Sequence, residues 1–120
     1  MRRGKEIAQG AHASMAFMSR KLQKILPYSH VTPSHYFSTW EREWIDGDFT
    51  KITLQVNSEK ELLDLYNNLK DKFECHLIQD KGLTEFGGVP TYTALGIGPH
   101  YSHLIDEFVG PEGKYPLKLY

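Results

Sequence analysis

The chain has 120 residues, 40% of them apolar and 12% aromatic, which suits one folded core and is too rich for a disordered chain. A formal net charge of −1 carries no global nucleic-acid signature, and a single cysteine, Cys75, leaves no intrachain disulfide and points to a reducing, cytoplasmic setting. No apolar run approaches the ~20 residues of a membrane span, so no membrane partner is expected.

A first helix is expected from Lys5 to Leu26, stopped by Pro27. Its Ile7, Ala11, Met15, Met18, Leu22 and Ile25 recur at helical spacing and are expected to face the core. Tyr28 to Phe37 reads as a loop. Ser38 to Ile45 reads as a short helix, with Ser38 and Glu41 as a capping box and Gly47 as its stop. Lys51 to Val56 alternates Ile52, Leu54 and Val56 against Thr53 and Gln55, a strand with one buried face. Ser58 and Glu61 open a third helix that turns Leu62, Leu65, Tyr66 and Leu69 inward. Glu74–Gln79 and Thr91–Ile97 read as strands, a helix runs from His100 or Tyr101 to Val109, and Leu117–Tyr120 closes the chain as a strand. Alternation of this kind predicts one α/β domain over residues 1–120, three-layered α/β/α, with a small mixed sheet of about four strands.

Lys5, Gln9 and His12 fall at i, i+4 and i+7 and share a helix face. A cation, an amide and an imidazole at a helix entrance suit a ligand bearing phosphate and a carbonyl, although on spacing alone a solvated stripe is the commoner outcome. Asp80 ends a strand, where α/β sheets place ligands, and is suited to act as a base or to orient Lys5 or His12. An Asp two residues before Gly82 also serves simply to form a turn. Thr84 and Thr93 add hydroxyls. Nucleophile elbows, phosphate loops and dinucleotide fingerprints are absent from the sequence, and Cys75 lies in an apolar run as a core residue. His100 and His103 share a metal-compatible spacing without a third ligand of matching spacing, and Tyr36, Phe37, Trp40 and Trp44 read as core aromatics or as stacking surfaces for RNA. Arg2, Arg3, Lys5, Arg20, Lys21 and Lys24 gather toward the first helix, while Glu41, Glu43, Asp46 and Asp48 gather later.

Three stretches together, Lys5–Ala13, Gln79–Glu85 and Thr91–Pro99, resemble the type 2 peptidyl-tRNA hydrolases of archaea and eukaryotes. That family shows K-x-A-A-Q-x-x-H-A on its first helix, then D-x-G-x-T-Q, then T-x-L-A-I-G-P; Lys5, Gln9, His12, Asp80, Gly82, Thr84, Thr93, Ile97, Gly98 and Pro99 match. The chain departs at Glu85, where the family has Gln, and at Arg2 and Arg3, near its Gly/Lys pair. The segment from Pro27 to Asp48 is long and aromatic-rich. The family carries a strand before the first helix, and Met1 sits at the following turn, so either a downstream start or a truncated chain is expected. A missing strand would leave an unpaired sheet edge or gap, which costs stability or invites pairing with another chain, such as a second copy in a homodimer.

The resemblance implies hydrolysis of the ester between a peptide and the 3′ end of tRNA, with no cofactor. Lys5, His12, Asp80 and Thr93 are the implied catalytic groups. Lys5 would bind phosphate or stabilise the oxyanion, and His12 and Asp80 would share the base and orienting duties in an order the sequence leaves open. Gln9, Thr84, Arg2, Arg3 and Arg20 are the implied substrate contacts. A catalytically silent RNA- or protein-binding module of the same fold is the rival reading, and a metal-dependent hydrolase a third.

Overall fold

The computed structural model describes residues 1–28, 32, 36–82 and 86–120. In chain order the elements are α1 (Arg3–Ile25), α2 (Thr39–Asp46), β1 (Leu54–Gln55), α3 (Glu59–Leu69), β2 (Cys75–Asp80), a 3₁₀ turn (Phe86–Gly88), β3 (Thr91–Ile97), α4 (Ser102–Val109) and β4 (Lys118–Leu119). The α2 capping box forms as its residues dictate: Glu41 N–H donates to Ser38 Oγ, and Ser38 N–H donates back to Glu41 Oε1. At α3 the serine half forms, but the returning bond to Glu61 comes from Asn57 N–H, one residue earlier.

The chain is an α/β fold, and its described residues hold four strands arranged as two antiparallel pairs, β2 with β3 and β1 with β4. The predicted strand over Lys51–Val56 shortens to Leu54–Gln55, paired with Leu119 and Lys118, with one further bond from Tyr120 N–H to the Thr53 carbonyl at 3.0 Å. Leu54 and Val56 still pack on the core, whereas Ile52, assigned to the same buried face, is exposed.

Layering follows from strand alternation. Even-numbered residues of β2, His76 and Asp80, face α1, where they meet Arg20 and Gln9. Cys75, Leu95 and Ile97 face the other way, into a core built by Leu65 and Leu69 of α3, Phe73, and Leu104, Ile105, Phe108 and Val109 of α4. Burial, with a smaller push from the charge of Glu74, raises the Cys75 thiol to about 11, so it stays protonated and inert at neutral pH. Helix α2 closes the far end of α1: Phe17 meets Phe37 and Trp44 edge-on, each at 5.8 Å, and Lys21 bonds Glu41.

The orientation of α1 departs from the periodicity reading. The face toward the sheet is Gln9, Ala13, Ala16 and Phe17, while Ile7 and Met15, at 68% and 64% exposure, and Leu22 look outward. Small residues decide this. An ideal Cβ on Gly96 would lie 2.6 Å from the Ala13 carbonyl oxygen, so helix and strand touch backbone to backbone. No rotamer change relieves such a clash. Gly96→Ala is therefore expected to destabilise the fold by about 1–3 kcal/mol, read as a lower urea midpoint at unchanged slope.

Candidate active site

The site is assembled where α1 crosses the ends of β2 and β3. Asp80, the last residue of β2, is only 7% exposed and splits its two oxygens between separate tasks. Oδ1 accepts the Gly82 N–H at 2.6 Å, closing a turn in which Gly82 holds φ +79° with its α-carbon face packed on the Val89 backbone. Oδ2 accepts the Lys5 ammonium as an ion pair and the Gln9 amide at 3.3 Å. Asp80 thus forms the turn and meets Lys5 and Gln9 at the same time, so its turn role leaves the candidate site role open to it. The hydrogen bond from Lys5 and then the one from Gly82 hold its carboxyl below the usual carboxylate range. Burial opposes them, and the charges of Lys5 and His12 add to the lowering.

The amide of Gln9 is oriented by its partners. Its Nε2 donates to Asp80, and its Oε1 accepts the Thr93 hydroxyl at 2.5 Å. Thr93 reaches Gln9 because the ladder slips there. Ile78 pairs with Ala94 but Gln79 pairs with Tyr92, so Thr93 is an extra residue on β3. Strict alternation would have turned Thr93 to the α3 side with Leu95 and Ile97; the bulge turns it to α1. Lys5, Gln9, Asp80 and Thr93 therefore form one bonded chain across three elements.

His12 lies one turn further along α1, exposed, in the wall of a cavity of about 300 Å³ that it shares with Arg20 and Leu77–Gln79. Arg2 and Arg3 are exposed at the opposite, N-terminal end of α1. Arg20 sits fifteen residues from Lys5, about 22 Å along the helix axis. It does not join the N-terminal arginines: its guanidinium donates to the Leu77 carbonyl and to His76 Nδ1, each at 2.9 Å. Since arginine only donates, His76 keeps its lone pair on Nδ1 and its proton on Nε2, 3.2 Å from Glu74. The sequence reading missed this Arg20–His76–Glu74 group, although the spacing of His76 and Asp80 along one strand already put both on the α1 face. Thr84 and Glu85 lie outside the described residues.

His100 packs among Trp40, Phe73 and Tyr101. Trp40 and Trp44 likewise pack against neighbouring rings, with the Trp44 indole N–H bonded to the Thr50 carbonyl. Among the described residues no three His, Cys, Asp or Glu side chains gather as a metal group, and no helix is long and apolar enough to cross a membrane.

Residues 1–114 match the family model for peptidyl-tRNA hydrolase PTH2. The chain belongs to this family. Among its relatives, the peptidyl-tRNA hydrolase of Methanocaldococcus jannaschii is 34% identical over 112 residues, covering 92% of this chain and 85% of the relative. That of Methanococcus vannielii is 36% identical over 100 residues, covering 82% and 75%. That of Sulfolobus acidocaldarius is 33% identical over 111 residues, covering 92% and 86%. Membership of the PTH2 family gives the bonded chain a substrate to be judged against: an ester at the end of an RNA.

Proposed function

We infer that the protein hydrolyses the ester between a peptide, or an N-blocked amino acid, and tRNA, that residues 1–120 do so as one domain, and that it works in the cytoplasm. The observation that carries the site assignment is the Lys5–Asp80–Gln9–Thr93 chain in a member of the PTH2 family. The substrate is already an activated ester, so a positioned water, a proton acceptor and a donor for the developing oxyanion suffice.

The geometry supports one division of these tasks. A carboxylate held below its usual range and bonded to a lysine is a weak base and a strong anchor. Asp80 accordingly positions the ammonium of Lys5 and the amide of Gln9. Lys5 faces the oxyanion, and Gln9 and Thr93 place the ester or the water. His12 is the imidazole beside this group, and imidazole is the side chain best matched to proton transfer near neutral pH. Water adds to the acyl carbon, His12 takes its proton, and the tetrahedral oxyanion collapses, expelling the ribose oxygen, which takes the proton back. Single-turnover release of N-acetyl-aminoacyl groups from tRNA tests the reading. Binding without release would overturn it in favour of a silent module.

Arg2 and Arg3, exposed beyond Lys5 at the start of α1, are the residues we assign to phosphates of the acceptor end. With these two contacts, log apparent affinity for tRNA against log salt is expected to slope about −1.4 to −1.8, and less steeply in Arg2→Ala and Arg3→Ala. A flat dependence, or slopes unchanged in both variants, would leave these arginines as ordinary solvated surface.

A further inference from the structure

The cavity beside His12 has a feature the catalytic assignment does not use. It lies between α1 and the outer edge of β2, the edge that β3 does not cover, and is bounded by His12, Ala16, Ser19, Arg20 and Leu77–Gln79. Which β2 backbone groups face it follows from the register. Gly98 N–H donates to Glu74 O, and the ladder pairs Cys75 with Ile97, so in this antiparallel pair residues 74, 76 and 78 bond inward and Leu77 points its N–H and C=O outward. Arg20 confirms the direction by donating to the Leu77 carbonyl. The Leu77 N–H, on the same side, donates to no described residue.

We propose that this groove is the peptide subsite: the acyl chain of the substrate adds alongside β2 as a short parallel strand, bonding to Leu77 and placing its ester carbonyl at Lys5, Gln9 and Asp80. The proposal rests on the hydrolase reading above. Three features of the structure favour a peptide over an RNA strand as the occupant. First, an exposed main-chain edge recognises amides, the one group every peptide repeats whatever its sequence. Second, Arg20, the one arginine or lysine in the wall, is already committed to His76 and Leu77, whereas the exposed Arg2 and Arg3 lie past Lys5 at the other end of α1. Third, the lengths fit. From Leu77 to Asp80 is three residues of strand, about 10 Å, so the amides that meet Leu77 lie within the last few residues before the ester. The direction is fixed as well: a chain whose C-terminal ester sits at Asp80 must run from Leu77 toward Asp80, parallel to β2. The tRNA then leaves toward Arg2 and Arg3, and the peptide toward Arg20.

The test uses substrate variants, which cannot unfold the protein. Wild-type enzyme is given tRNA esterified with N-acetyl-tetraalanine, or with the same peptide N-methylated at one amide at a time. In a parallel pair the Leu77 N–H donates to one peptide carbonyl, and the peptide N–H two residues on donates to the Leu77 carbonyl, whose second lone pair remains beside Arg20, so kcat/KM is expected to fall about tenfold, the scale of one lost hydrogen bond, at one amide position and little at the others. Separately, Ser19→Trp, which fills the groove from the exposed side of α1, is expected to lower the ratio of kcat/KM for N-acetyl-tetraalanyl-tRNA over N-acetyl-alanyl-tRNA by about tenfold. An N-methyl effect equal at all positions, together with an unchanged ratio in Ser19→Trp, would overturn the groove assignment while leaving the hydrolase standing. Failure of the wild type to release any of these esters would remove the hydrolase reading, and the subsite with it.

Discussion

Asp80→Asn is expected to lower single-turnover ester hydrolysis by ~10²-fold, the scale for loosening the Lys5 and Gln9 groups that meet the transition state. The substitution keeps the shape of the side chain and its turn with Gly82, and removes the charge that holds Lys5. The structural consequence can be read apart from the chemistry. The Asp80 carboxyl is depressed in the folded state, so its contribution to stability is present above the ordinary value of 3.8 and is lost as pH falls through the lower folded value. Urea unfolding should therefore separate wild type from Asp80→Asn at neutral pH, and the gap should close in strong acid. Full hydrolytic activity in Asp80→Asn would remove this residue from the site. Glu85→Gln, which restores the residue usual in the family, is expected to hold or raise activity and serves as the contrasting substitution.

Lys5→Ala is expected to cost about 10²–10³-fold in kcat/KM, the effect of removing one preorganised donor to a developing oxyanion. It also strips Asp80 of the partner that lowers its carboxyl most, leaving a buried carboxylate held by Gly82 and Gln9. The acid limb of the residual activity should consequently move to higher pH than in wild type, because burial then acts on the carboxyl with less opposition. Rate measured from acid to neutral pH checks both effects. A residual rate near that of wild type would mean that the oxyanion is held elsewhere, and an unshifted acid limb would mean that the ion pair is not what sets Asp80.

Local chemistry made much of the molecule legible from sequence. The α2 capping box, the span of β3 from Thr91 to Ile97 and the inward Leu62, Leu65 and Leu69 of α3 are fixed by neighbours a few residues away, and they form as read. The meeting of Lys5 and Gln9 with Asp80 was foreshadowed because helix spacing and a strand end are local facts, although their convergence across 71 residues is not.

What the sequence could not settle are choices made by packing between distant segments. Periodicity assigned Ile7, Met15 and Leu22 to the core, but the sheet takes the alanine and glutamine face of α1, because Gly96 lets the backbones touch only where the helix side is small. The length of β1 follows from its pairing with β4 and not from its own alternating residues alone. Thr93 reaches Gln9 only because one residue is inserted between the pairings of Ile78 and Gln79, a slip that no single strand encodes. Caps and periods thus determined which elements exist, and the family resemblance named the candidate site residues. Close approach and register, properties of two segments at once, decided which face is inward and where the side chains meet.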